Sequence, residues 1–369
     1  MTELHHIVAA IVAPLQQQGE EHGIQVCAYH RGQRIIDYAS GTRNASGAAI
    51  TPDTLTFCWS MTKGITALCI HILAERGQLE YDDLVCRYWP EFAQQGKQFI
   101  TIRQFLAHTS GMCHMPQVSV AEMCDWDGMC ERFAAMPPVY HPGETPAYHA
   151  ISYGWLVGEV VRRVSGRSLT QFVQDEICAP LGISDLHIGL PAARVADCAD
   201  LSYDNLPHPL NLDAVGADLM RTNPDTFANR ADVRQACMPG INMLSSARAL
   251  VQVYASLVGT GVNGVRLLPT RRVDMVRSVQ RLSVDALVGF RMAMGLGYQL
   301  PDHTDPSSMS NRRGVFGHGG WGGSTAFADP DYDFAFVLTK TRMNHNIDIT
   351  PVGMAVAQAV RAHVGIPER

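Results

Sequence analysis

The sequence predicts an α+β fold: one antiparallel sheet built from both chain ends, flanked by helices, with a mostly helical segment inserted in the middle. Three observations predict it. Strand-like segments gather toward the two termini, and the centre of the chain carries helical periodicity broken by long loops. A length of 369 residues with 46% hydrophobic content is enough for one large domain or two intimately packed ones.

The elements follow in order. Leu4, Ile7, Val8, Ile11, Val12 and Leu15 repeat with helical spacing and form an amphipathic helix that lacks the basic leader of a signal peptide. Ile24 to His30 and Arg34 to Ala39 flank Arg31-Gly32-Gln33 and read as two antiparallel strands joined by a tight turn. Leu55 to Trp59 is apolar and β-prone, and Gly64 to Leu73 continues with helical spacing, which puts Ser60 at a helix start. From Tyr81 to about Ser283 the pattern is mostly helical, interrupted by loops at Met112 to Pro138 and Leu201 to Arg230, with an amphipathic helix over Ile151 to Val164. Strands return at Met292 to Leu300, Gly323 to Ala328 and Asp333 to Arg342, each bounded by Gly, Pro or Asp. A closing helix from roughly Thr350 to Val364 carries Val352, Val356, Ala359 and Val360 on one face. The expected division is residues 1–81 and 284–369 as a sheet domain carrying Ser60, Lys63 and His318, and 82–283 as an inserted helical domain carrying Tyr148, with the cleft between them.

Composition narrows the function. A formal net charge of -6 and a pI near 6.2 leave no basic footprint for nucleic acid, and no Lys/Arg run forms a membrane patch. No segment is long and apolar enough to span a bilayer. The 10 cysteines are scattered, without a Cys-x-x-Cys pair or zinc spacing, and several sit in apolar patterns as small hydrophobes. A reducing, cytoplasmic setting fits best. His108 and His114 have no partners at metal spacing, so no metal and no cofactor are expected. Gly259-Thr260-Gly261-Val262-Asn263-Gly264 matches a dinucleotide fingerprint literally, but it follows a helix and opens none, so it reads as a plain glycine-rich loop.

The chemistry starts at Ser60-Met61-Thr62-Lys63. Residues at i and i+3 share a helix face, so the Lys63 amine and the Ser60 hydroxyl can point into one cleft. A helix start also offers free backbone N–H groups and a positive dipole end. The bland alternative is a serine N-cap beside a surface lysine. Against it, the chain has only Lys63, Lys97 and Lys340, and a desolvated lysine can lose its proton where an arginine cannot. Two further segments could complete such a site: the turn-rich His141 to Ala150, which presents Tyr148, and the glycine-rich Phe316 to Gly323.

On these motifs the chain resembles the serine β-lactamase and penicillin-binding protein superfamily, specifically the class C β-lactamase-like branch that includes family VIII carboxylesterases. Ser60-x-x-Lys63 matches the nucleophile motif, Tyr148-His149-Ala150 the Tyr-x-Asn element, and His318-Gly319-Gly320 the Lys-Thr-Gly element. Leu106-Ala107-His108-Thr109-Ser110-Gly111 and Gly154 to Glu159 match supporting segments, and the likeness spans essentially the whole chain. It implies the β-lactamase-like version of the α+β fold and an acyl-enzyme on Ser60. Lys63 and Tyr148 would share the roles of general base and acid, and the Ser60 and Trp321 backbone N–H groups would form an oxyanion hole. His318, Gly319, Gly320, Trp321 and Ala150 would meet the substrate, with His318 bonding either Tyr148 or the substrate itself.

Two departures matter. Lactam-cleaving relatives keep an asparagine where this chain has Ala150 and Lys-Thr where it has His318-Gly319, so the grips for a substrate amide and carboxylate are missing. An uncharged ester loses little by this. Hydrolysis of a small-molecule carboxylic ester is therefore the favoured activity. The rivals are an acyltransferase of the same fold, a weak β-lactamase or D-aminopeptidase-like amidase, and a binding protein that has no need of all three reactive groups. Met112, Met115, Met123, Met129 and Met136, with Trp126 and Phe133, either fill the helical core or line a broad acyl pocket. Oligomeric state is not legible.

Overall fold

In a computed structural model, residues 2–203, 224–302, 312–344 and 351–368 are described. The main sheet has eight strands in the spatial order Gln33–Ser40, Ile24–His30, Phe334–Lys340, Thr325–Asp329, Phe316–Gly319, Gln299–Leu300, Arg291–Met294 and Arg281–Val284. Every neighbouring pair is antiparallel, and the two chain ends meet where Ile24 pairs with Lys340 and His30 with Phe334. The expected α+β sheet built from both termini is thus the observed one.

Strand periodicity explains why the sheet is covered on both faces. Ile24, Val26 and Ala28 join Phe334, Phe336 and Leu338 in one cluster with Leu4, Val8 and Val12 of the Glu3–Gln17 helix and Val352, Val356 and Val360 of the Pro351–His363 helix. The alternate residues Cys27, Tyr29, Ala335 and Val337 face the opposite way, into the main core. That core is centred on the Thr62–Glu75 helix, which is buried from Thr62 through Ala74. A helix apolar all round belongs in the interior, and it is covered by the Tyr153–Ser165 and Ala247–Ala255 helices and the inner sheet face.

Several local expectations change. Ser60 lies in a 3-10 turn, Trp59–Met61, and the α-helix proper begins at Thr62. The segment Met112 to Pro138 is no continuous loop: Ser119 and Glu122 form a capping box that starts Val120–Met123, and Asp125 caps Trp126–Ala135. Arg281–Val284, expected within the helical region, supplies the last strand of the sheet by pairing with Arg291–Met294. Met292 to Leu300 divides into two strands around Gly295 and Gly297, the latter at a positive φ of 80°. Phe316 to Gly319 forms a strand as well as allowing close approach. The 204–223 part of the expected loop at Leu201 to Arg230, and Thr350 at the start of the closing helix, lie outside the described residues.

Met112, Met115, Met123, Met129 and Phe133 are buried in the main core, with Met136 and Trp126 packed against it. They are filling, not a pocket. Among the described residues no helix is long and apolar enough to cross a membrane.

Candidate active site

A small three-stranded sheet seats the nucleophile turn. Thr56–Phe57 pairs with Leu244–Ser245, which pairs in turn with Leu186–His187. The Cys58 N–H donates to the Met243 carbonyl at 2.8 Å, and the Met243 N–H donates to the Thr62 hydroxyl at 2.9 Å. Between these braces Trp59 adopts φ 46°, a left-handed conformation that costs a non-glycine residue free energy and persists only where its surroundings impose it. The constraint falls directly before Ser60, which remains partly exposed.

Lys63 is fully buried, and its Nζ makes three short contacts: 3.0 Å to Ser60 Oγ, 2.7 Å to the Ala150 carbonyl and 2.8 Å to the Gly240 carbonyl. Burial pushes its pKa well below the usual lysine value of 10.5. A neutral amine has two N–H donors and one lone pair. The two carbonyls can only accept, so in the neutral form they would take both donors and leave the lone pair for the Ser60 hydroxyl. Gly240 is fixed by its neighbours: Asn242 accepts from the Met238 N–H and donates to the Val233 and Ala236 carbonyls.

Tyr148 arrives from a loop whose backbone is pinned. The Ala147 N–H donates to the His108 carbonyl at 3.0 Å, the Tyr148 N–H to Asp285 Oδ1 at 3.1 Å, and the His149 N–H to His108 Nδ1 at 3.0 Å. The phenol ring lies 4.9 Å from Lys63 Nζ, and the Tyr153 ring 5.8 Å from it on the neighbouring helix. His108, itself buried at a positive φ of 57°, packs its ring 4.8 Å from that of Tyr148. Without a partner at metal spacing in the sequence, it is in the structure the post on which the Tyr148 loop is hung.

The third segment closes the site. His318 Nδ1 is 2.7 Å from the Gly319 carbonyl, an acceptor, so the proton sits on Nδ1 and Nε2 carries the lone pair. Burial lowers its pKa to about 3, so the ring is neutral near pH 7. Its Nε2 is buried without a hydrogen-bond partner, and the two rings are 6.2 Å apart, so the bond to Tyr148 is not formed. The Gly319 N–H donates to Gln299. At Gly320 a Cβ would stand 2.5 Å from the Cys58 carbonyl, so only glycine lets this strand end approach the Ser60 turn. Trp321 then stacks edge-on against Trp59 at 4.9 Å.

The structure therefore brings Ser60, Lys63, Tyr148, Ala150, His318, Gly319, Gly320 and Trp321 together. Ala150 contributes its carbonyl to Lys63, a role invisible in its side chain. Gly240 and Asp285 were missed because they act on residues 177 and 137 positions away, and Asn242 because it acts only through the turn that carries Gly240. Gly320→Ala is expected to keep the fold by circular dichroism but lower turnover by about 10²-fold, the scale of a misaligned oxyanion donor. Unchanged turnover would mean that this approach is not needed.

A serine in the turn that enters a central helix, and a buried lysine on that helix set against an antiparallel sheet, is the architecture of the β-lactamases and penicillin-binding proteins. The chain belongs to the beta-lactamase family, whose model matches residues 8–360, and is a hydrolase of that family. It is 29% identical over 343 residues to the esterase/beta-lactamase LipL of Mycobacterium tuberculosis, covering 87% of this chain and 77% of that protein. A family VIII carboxylesterase structure superposes with a TM-score of 0.88 at 30% identity, over 98% of each chain. A penicillin-binding protein homologue from Caulobacter crescentus does so with a TM-score of 0.88 at 28% identity, again over 98% of both.

Proposed function

We propose that the protein hydrolyses small-molecule carboxylic esters through an acyl-enzyme on Ser60, with Lys63 and Tyr148 as the coupled base and acid. The observation that carries this is the Lys63 amine, buried, bonded to two carbonyls and 3.0 Å from the Ser60 hydroxyl. In acylation the Ser60 proton passes to the Lys63/Tyr148 pair as Oγ bonds to the ester carbonyl carbon. The resulting oxyanion would be met by the Ser60 and Trp321 N–H groups. The C–O bond to the alcohol then breaks, and the pair returns the proton to the leaving oxygen. Water repeats the sequence on the acyl-serine and frees the acid.

The preference for an ester rests on what faces the bond. At the two positions where lactam-cleaving relatives keep an amide and a cation, this chain has only the methyl of Ala150 and the neutral ring of His318. The similarity to an esterase/beta-lactamase and a family VIII carboxylesterase supports the same reading.

Intact-mass measurement across esters, thioesters, lactams and short peptides tests it. An acyl adduct on Ser60 from simple esters is expected, with penicillins opened at least about tenfold more slowly and Ala150→Asn narrowing that gap. If penicillins were opened as fast as esters, the substrate class would be wrong. Added alcohol separates the acyltransferase reading: hydrolysis predicts free acid as the main product, whereas a transferase would give mostly the new ester.

A further inference from the structure

The hairpin that ends the sheet, Arg281–Val284 and Arg291–Met294, leans its turn on the Tyr148 loop. Asp285, at the start of that turn, is completely buried. Its Oδ1 accepts from the Leu287 N–H at 2.9 Å and the Val288 N–H at 3.1 Å, contacts that shape the turn itself. The third N–H on the same oxygen is that of Tyr148, 137 positions away in the chain, at 3.1 Å. Beside it the Ala286 N–H donates to the Pro146 carbonyl at 2.9 Å, so hairpin and loop are joined at two points. Asp285 Oδ2 accepts from Arg281 Nη2 at 2.7 Å, which orients the buried carboxylate. Arg281 is also buried, yet its Nε and Nη1 have no hydrogen-bond partner. A half-satisfied guanidinium in the interior is costly, and a hydrophobic pair would serve stability as well or better. The Tyr148 ring itself packs on Met292 and Met294 of the same hairpin.

We propose that Asp285, oriented by Arg281, is a positioning residue that holds the Tyr148 phenol over Lys63 by taking the Tyr148 backbone N–H. This rests on the role of Tyr148 given above. A purely structural ion pair would affect every variant alike; a positioning pair should matter only while the phenol is there to be positioned.

Ester hydrolysis by Tyr148→Phe, Asp285→Ala and the double variant separates the two, with melting temperature and circular dichroism measured for each. Tyr148→Phe is expected to lose at least about 10²-fold in kcat. Asp285→Ala should lose about 10- to 10²-fold in kcat with KM within about threefold, and in the Tyr148→Phe background it should cost less than about threefold more. Should Asp285→Ala fail to fold, Asp285→Asn enters the cycle: it keeps an acceptor for the Tyr148 N–H without the anion Arg281 needs, and the same non-additivity is expected on a loss of about fivefold. Equal fold-losses in both backgrounds, or wild-type kcat in the Asp285 variant, would overturn the positioning role while leaving Tyr148 in place. A fully active Tyr148→Phe would overturn both.

Discussion

Ser60→Ala is expected to lower ester turnover by about 10⁴-fold or more and to abolish labelling by a phosphonate that wild type captures stoichiometrically. The magnitude follows from removing the atom that forms the covalent bond. The fold should survive, because Ser60 sits in a 3-10 turn held by Cys58, Thr62 and Met243, none of whose bonds uses the serine hydroxyl. Loss of labelling without loss of melting temperature is the expected pair of readings. A wild-type protein that resists the phosphonate while hydrolysing esters would remove Ser60 from the mechanism.

Lys63→Arg is expected to cost at least about 10²-fold in kcat/KM at every accessible pH, the lower end for a positioned proton-transfer group. A guanidinium keeps its proton, so it cannot present a lone pair to Ser60. In wild type the sign is fixed by the direction of the Lys63 shift. Burial lowers the pKa, so the amine is neutral and competent above that lowered value, and kcat/KM should fall tenfold per unit as pH drops through it. The acid limb should therefore lie well below the usual lysine value of 10.5. His318 and His149, each lowered to about 3 by burial, are already neutral and should add no limb near pH 6. A rise in rate only near the ordinary lysine value would show that Lys63 is charged in the resting site. Since Lys63 and Tyr148 are neighbours, the limb belongs to the pair.

Much of this arrangement was legible before any coordinates. Helical spacing located the helix that carries Lys63 and put Ser60 at its start, and strand-like segments bounded by turn residues at both ends located the sheet. What was misread shows where local pattern runs out. Val120–Met123 and Trp126–Ala135 were taken as part of a loop, although the Ser119/Glu122 box and the Asp125 cap were there to be read. Arg281–Val284 was missed because strand propensity is weak in a four-residue edge strand, and pairing with Arg291–Met294 decides it. The methionine-rich segment illustrates the same limit: composition allowed a pocket or a core, and packing chose the core.

By itself the sequence determined the chemistry on offer: a serine and a lysine one turn apart, a tyrosine in a turn-rich loop, and a glycine run able to lie close to both. Such spacing is local, and backbone geometry converts it directly into a shared face. Only the tertiary structure decided that the Lys63 amine is stripped of water and bound to the carbonyls of Ala150 and Gly240, 87 and 177 residues away. The same is true of the Tyr148 loop, which is suspended between His108 and Asp285. Desolvation and the satisfaction of backbone groups depend on which distant segments arrive at the same place, and no window of sequence contains that information.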